Sequence, residues 1–214
     1  LYGHTASVLS AVLSADGTSV LTASCDKTAK VWELCTGTCK HTLSGHTSEV
    51  IIAVFSPDGT SILTASHDTT AKVWETSTGE CKQTLDLWRD LTPPWHPSVL
   101  SAMFAADQTS ILTATHVPGF QWTMRVWDIF TGECKLTLNQ KHNTILEHCP
   151  TMVFSMDGTE VLTESFCFTE KTWATIIWDT STGKRKQTLS AHTDQVWSAA
   201  FSTDKTSVLT LGRT

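Results

Sequence analysis

Residues 3–43 read GHTASVLSAVLSADGTSVLTASCDKTAKVWELCTGTCKHTL, and residues 45–85 read GHTSEVIIAVFSPDGTSILTASHDTTAKVWETSTGECKQTL. The two stretches are near copies, with Trp32 and Trp74 separated by 42 residues. A period of this length marks a supersecondary unit that cannot bury its own apolar surface and must stack on its neighbours. Within one copy, residues 8–14 alternate around β-branched and apolar positions, and Asp16-Gly17 supplies a tight turn into Ser19–Ala23. Asp26-Lys27 then leads into Thr28–Glu33, and Thr36-Gly37 turns the chain into Cys39–Leu43. The pattern predicts four short antiparallel strands per copy. Both strand faces carry apolar or small residues, Val8 and Val12 on one and Leu9, Ala11 and Leu13 on the other, as expected of a sheet sandwiched between two others.

Working outward, a third and a fourth copy follow, closing on Trp127-Asp128 and Trp178-Asp179 at the longer intervals of 53 and 51 residues. A fifth starts at Ala191-His192. The repeats run over about 3–44, 45–86, 95–138, 141–189 and 191–214 of one domain spanning 1–214. The Gly-His pair, the Asp of the second turn and the closing Trp-Asp or Trp-Glu closely resemble the WD-repeat family. That resemblance implies an all-β fold, a β-propeller of four-stranded antiparallel blades, with about 4.5 blades here and an open or incomplete ring, because closed rings have about 4–8 complete blades. Leu1-Tyr-Gly-His4 matches Leu43-Ser-Gly-His46, so the expectation is that the chain is a fragment, or a subunit whose edges a partner covers.

In the family a His, a Ser or Thr, an Asp and the Trp of one blade form a buried hydrogen-bonded set. The matching positions are His4, Thr22, Asp26 and Trp32, and His46, Thr64, Asp68 and Trp74. A repeated catalytic His–Asp pair is the competing reading, but a buried His, Asp and indole each need a partner, and linking them satisfies all three. Copies three and four keep Thr113 with Trp127 and Thr163 with Trp178, while Val117 and Cys167 stand where the Asp should be. His96 and His142 are the candidate caps there, and Glu170 the candidate replacement carboxylate.

The extra length of copies three and four falls at roughly 87–97, 116–124, 139–151 and 165–175, expected to be loops on one side of the disc. Trp88, Trp95, Phe120, Trp122, Phe166, Phe168 and Trp173 lie in these stretches, out of 8 Phe, 9 Trp and 1 Tyr in the chain. Aromatic side chains bury much area for few rotors and concentrate at binding hot spots, so this face is expected to dock partner proteins. Local packing under the loops and erosion of the repeats are the alternatives. A second candidate surface is the mouth of the central channel. By the family resemblance it is lined by Leu9, Ile51, Leu100, Pro150 and Trp197, with Cys25 and His67 at its rim, an apolar lining suited to a peptide side chain or to simple channel filling.

Composition narrows the function. Lys and Arg total 15 against 21 Asp and Glu, a net charge of −6, which offers no basic footprint for nucleic acid or an anionic membrane. No apolar run reaches the length of a membrane span. The 7 Cys form an odd set without repeated metal-ligand spacing, read as free thiols in an intracellular setting, cytoplasmic in preference. Cys35 and Cys39 fall on an ordinary strand–turn–strand, so neither zinc nor a disulfide is expected. Lys184-Arg185-Lys186 reads as a solvated hairpin. Phosphate-loop, nucleophile-elbow and metalloprotease motifs are missing from the sequence, so no cofactor and no metal are expected. Cys167, His116 and Glu170 are the few groups from which an enzymatic site could be built. The expectation is a non-catalytic scaffold for partner proteins or peptides within a larger complex. A sensing or regulatory WD-repeat domain of a larger multidomain protein is the alternative.

Overall fold

The computed structural model describes residues 1–88, 98–105, 107–117, 121–141, 152–167, 172–192 and 196–212. They form eighteen strands and no helix. Sheet 1 comprises β1 (Val8–Leu13), β2 (Ser19–Ser24), β3 (Thr28–Glu33) and β4 (Cys39–Ser44). Sheet 2 comprises β5 (Val50–Phe55), β6 (Ser61–Ser66), β7 (Thr70–Glu75) and β8 (Cys81–Asp86). Sheet 3 comprises β9 (Ser98–Phe104), β10 (Ser110–Val117), β11 (Gln121–Asp128) and β12 (Cys134–Lys141). Sheet 4 comprises β13 (Met152–Phe154), β14 (Glu160–Cys167), β15 (Thr172–Asp179) and β16 (Arg185–His192). Sheet 5 pairs β17 (Val196–Phe201) with β18 (Val208–Gly212). Every sheet is antiparallel in chain order; sheets 1 to 4 are each one four-stranded blade, and sheet 5 matches the first two strands of a blade.

The turns explain the regularity. In the first turn of copy one, Ser14 Oγ donates to Asp16 Oδ1 at 2.5 Å, and the Thr18 amide donates to the same oxygen at 3.0 Å. The same Ser-x-Asp arrangement recurs at Ser56 and Asp58, Ser155 and Asp157, and Ser202 and Asp204. The residue after each Asp sits at positive φ, 69° at Gly17 and 72° at Gly59. Gln108 and Lys205 adopt that conformation without being glycine, at 56° and 57°.

The core is a series of junctions between successive sheets. At the first, Leu21, Ala23, Val31 and Leu43 of sheet 1 face Val50, Ala53, Ile62 and Trp74 of sheet 2. Leu63, Ala65, Val73 and Leu85 of sheet 2 face Val99, Ala102, Phe104, Ile111 and Trp127 of sheet 3. The third junction sets Leu112, Ala114, Met124 and Val126 against Phe154 and Val161, and the fourth sets Leu162 and Ile177 against Ala199. Each buried Leu, Ile or Phe contributes about 1.5–3 kcal/mol, so stacking rather than any single sheet carries the stability. Among the described residues the sheets do not close into a ring: Leu13 of β1 is 61% exposed and Leu209 of β18 is 65% exposed.

The simple alternation expected of β1 needs one correction. Leu9 is an extra, unpaired residue between Val8 and Ser10, a β-bulge. The bulge flips the side-chain phase, so Val8 belongs with Ala11 and Leu13, not with Val12. In sheet 2 the equivalent Val50 and Ala53 pack on sheet 1, whereas Val54 packs on sheet 3.

Candidate functional site

The hydrogen-bonded sets occupy the junction between a blade's entry and its second turn. In sheet 1, Trp32 Nε1 donates to Thr22 Oγ1 at 2.8 Å, Thr22 Oγ1 lies 2.7 Å from His4 Nε2, and His4 Nδ1 lies 2.7 Å from Asp26 Oδ2. Sheet 2 repeats this through Trp74, Thr64, His46 and Asp68 at 2.9, 2.8 and 2.8 Å. Since an indole only donates and a carboxylate only accepts, a neutral histidine closes the chain in one direction, with Thr64 donating to Nε2 and Nδ1 donating to Asp68. Burial alone would raise the Asp26 and Asp68 carboxyls, but hydrogen bonds from the Thr28 and Thr70 hydroxyls, the histidines and the Thr5 and Thr47 amides outweigh it and hold both low. Burial also lowers His46, more than Asp68 raises it. With every donor and acceptor spent on another, these sets hold turns rather than offer a base to a substrate.

Sheets 3 and 4 keep the indole bond, Trp127 Nε1 to Thr113 Oγ1 and Trp178 Nε1 to Thr163 Oγ1, each at 2.8 Å. His96, His142 and Glu170 lie outside the described residues.

Of the enlargements at 116–124 and 165–175, expected to be loops, the described residues are strand. β10, β11, β14 and β15 have eight residues each where their counterparts in sheets 1 and 2 have six. Pairing continues through His116 opposite Trp122 and Val117 opposite Gln121, and through Phe166 opposite Trp173 and Cys167 opposite Thr172. β12 and β16 lengthen likewise, the former absorbing residues 139–141. Two added residues per strand raise the rim by about 7 Å at the usual rise. The β-branched and aromatic character of Val117, Trp122, Phe166 and Trp173 favours strand continuation over loop. Trp122, Phe166 and Trp173 therefore sit on taller hairpins. Trp88 and Trp173 are half-buried. Trp95, Phe120 and Phe168 lie outside the described residues, as does Pro150.

The stretch beginning at residue 87 is anchored where it leaves sheet 2. Leu87 is fully buried, and its carbonyl accepts from Arg125 Nη1 at 2.7 Å. Arg125, buried in β11, takes the place that Lys30 and Lys72 hold in β3 and β7, where the ammonium donates to Thr42 and Thr84. Sequence reasoning did not single out this arginine; its replacement of a repeated lysine was the available clue.

The expected channel-mouth residues share one backbone feature. Leu9, Ile51, Leu100 and Trp197 each occupy the bulge of a blade's innermost strand. Ile51 and Leu100 are half-buried and pack on the junctions beyond their own sheets. Leu9 is 47% exposed. At the rim Cys25 is half-buried and His67 exposed. Desolvation and the Glu49 carboxylate push the Cys25 thiol up, away from a reactive thiolate.

A second bulge recurs on the outermost strands at Lys40, Lys82, Lys135 and Lys186. The first three pair with Glu33, Glu75 and Asp128, the acidic residue after each tryptophan. Lys186 turns to Glu160 instead, which accounts for one charge of the 184–186 cluster. On the face opposite the tall hairpins, a groove of about 610 Å³ between sheets 3 and 4 includes Asp107, Asp157, Asp179 and Lys135. Its carboxylates are engaged by Ser110, Ser155 and Ser181 and its lysine by Asp128, so few polar groups remain for a ligand.

The family model described as WD domain, G-beta repeat matches residues 1–33, 37–75 and 183–212. The chain carries WD repeats. The second match runs from the outermost strand of sheet 1 to the third strand of sheet 2, and the third joins β16 to sheet 5. All four enlargements fall between the matched WD repeats, in 76–182. A search among curated proteins gave no match. WD repeats generally serve as scaffolds for protein–protein interaction and are typically non-catalytic. Among the described residues, no helix is long and apolar enough to cross a membrane, and no group of three His, Cys, Asp or Glu could hold a metal ion.

Proposed function

We propose that the chain is a non-catalytic scaffold that binds partner proteins or peptides through the raised face of sheets 3 and 4. The carrying observation is that both second hairpins there extend by two residues per strand on the same side of the arc. Trp88, Trp95, Phe120, Trp122, Phe166, Phe168 and Trp173 belong to this face by sequence. Their rigid, large side chains suit a desolvated contact at small entropic cost. The channel mouth expected at Leu9, Ile51, Leu100, Pro150 and Trp197, with Cys25 and His67 at the rim, adds a second contact for a short segment. The net charge of −6 argues for protein rather than nucleic-acid partners. The free thiols of Cys25, Cys35, Cys39, Cys81 and Cys134 fit a reducing, intracellular setting.

The test compares wild-type chain with the Trp95→Ala/Trp122→Ala double variant in affinity capture from the native source, alongside thermal melts. The proposal expects at least a tenfold loss of captured partner at a nearly unchanged Tm. Undiminished capture contradicts it, and a large fall in Tm assigns these tryptophans to packing.

A further inference from the structure

One first turn of this chain already holds a cation delivered by the turn of the next sheet. In sheet 5, Lys205 follows the turn aspartate at a positive φ of 57°. Its ammonium donates to the Asp157 carboxylate and, at 3.0 Å, to Thr159 Oγ1 in the first turn of sheet 4. Thr159 Oγ1 in turn donates to Asp157 Oδ1 at 2.9 Å. A turn of this kind therefore seats an ammonium between its carboxylate and its hydroxyl.

One junction earlier the receiving half recurs, and the lysine does not. Asp107 and Thr109 of sheet 3 are the repeat equivalents of Asp157 and Thr159, and Gly158 of sheet 4 is the equivalent of Lys205. A Cβ on Gly158 would meet Leu112 Cδ1 at 2.8 Å and the Ala105 backbone at 3.0 Å, so this turn has no room to carry a side chain of its own. Between the two turns lies the groove of about 610 Å³, lined by Asp107 and Gly158 and by the apolar Ala105, Leu112, Val126 and Leu136. Met156, 76% exposed, stands one residue before Asp157 of the same groove.

The charge of Asp107 is not cancelled. Its Oδ1 accepts from the Thr109 and Ser110 amides, each at 2.9 Å, and its Oδ2 from Ser110 Oγ at 2.9 Å. Desolvation raises this carboxyl, but those bonds outweigh it and hold it below the ordinary value, so the group is ionised at neutral pH. Neutral donors orient the carboxylate and leave its charge in place. Lys135 is spent on Asp128 at 2.9 Å and otherwise reaches Ser110 Oγ at 3.4 Å. Among the described residues, the ion pairs of this face engage Asp128, Glu160 and Asp157 but not Asp107.

We propose that the groove between sheets 3 and 4 binds a lysine-bearing segment of a partner protein, the ammonium taking at Asp107 and Thr109 the seat that Lys205 takes at Asp157 and Thr159. Apolar residues on either side of that lysine cover Leu136 and Met156. The uncompensated carboxylate selects the cation, and the apolar lining selects its neighbours. The contact lies on the face opposite the tall hairpins and does not depend on the partner of the raised face.

The test titrates the 214-residue chain, with no other partner present, with a short capped peptide of leucine-lysine-leucine flanked by serines. A second titration uses the same peptide acetylated at its lysine. Calorimetry gives the affinities, and amide NMR shifts give the place. The lysine peptide is expected to bind about tenfold more tightly than the acetylated one, shifting Thr109, Ser110 and Gly158. Asp107→Asn keeps an acceptor oxygen for the turn and removes the charge, and should weaken the lysine peptide about tenfold at an unchanged Tm. Asp204→Asn removes the same charge from another turn and should leave binding as it was. Equal binding of the two peptides by the unaltered chain, or none, overturns the proposal whether or not the variants fold. Undiminished affinity in Asp107→Asn overturns it too, and so does an equal loss in Asp204→Asn, which would assign the attraction to the net charge of −6.

Discussion

Nδ1 of His46 lies 2.8 Å from Oδ2 of Asp68, and both side chains are almost wholly withdrawn from solvent. The pair fixes the blade's entry to its second turn, since Asp68 also accepts from the Thr47 amide at 2.8 Å and the Thr70 amide at 2.9 Å. Asp68→Ala leaves those donors without a partner and is expected to cost about 3 kcal/mol, on the order of 10 °C in Tm. A thermal melt at pH 7 checks this.

The same pair sets a pH dependence. His46 in the fold titrates below its ordinary 6.5, so the unfolded chain takes up its proton first. Stability is therefore full above about pH 6.5 and falls as pH drops below it, towards the lower folded value. Asp68 is likewise held below 3.8, and its contribution is present above that value and lost at lower pH as its folded carboxyl protonates. Denaturant melts should show decline beginning between pH 7 and 6 and a steeper one below pH 4. His46→Gln should lower stability at pH 7 and remove the first decline. An unchanged profile in that variant would assign the decline elsewhere.

Gly158 is a turn glycine whose added Cβ would meet backbone as well as side chain. A Cβ there would stand 2.8 Å from Leu112 Cδ1 and 3.0 Å from the Ala105 backbone, at a φ of +68°. Gly59 has the same backbone at +72° with nothing within 4 Å. Gly59→Ala should cost about 1 kcal/mol from the left-handed backbone, and Gly158→Ala about 2–4 kcal/mol because sheets 3 and 4 must also part. Equal denaturation midpoints for the two variants would contradict this account of the junction.

Arg125 is 3% exposed and spends a guanidinium hydrogen on the Leu87 carbonyl. Arg125→Ala is expected to cost about 2–4 kcal/mol, since it strands a buried carbonyl and opens a cavity. Arg125→Lys should recover part of that loss, because a lysine fits the same position in sheets 1 and 2 but lacks the planar fork. Denaturation midpoints of the three proteins give the comparison.

Much of this architecture could be read from residues alone. The 42-residue spacing of Trp32 and Trp74, with Gly-His before and Asp-Gly within, fixes strand number, order and turns for sheets 1 and 2. The first-turn glycine is replaced by Gln108 and Lys205, yet the turn persists because Asp107 and Asp204 still tie it down. The bulges at Leu9 and Lys40 could not be read, because a bulge inserts one residue without leaving a compositional mark, and the face assignment of Val8 changed with it. Residues 116–124 and 165–175 look like insertions in an alignment of copies, and only ladder pairing reveals that 116–117, 121–124, 165–167 and 172–175 lengthen strands. For the candidate site, the sets around His4 and His46 were legible since they repeat. Arg125 was not, since its carbonyl partner, Leu87, lies just past the last strand of the preceding sheet.

The measurement that bears most directly on the scaffold reading is amide hydrogen exchange of the chain with and without its captured partner. The account predicts new protection in 87–97, 116–124 and 165–175 of the raised face, with the turns at Asp16-Gly17, Asp58-Gly59 and Asp157-Gly158 unchanged. Protection confined to those turns on the opposite face, with the raised face exchanging as before, would contradict it.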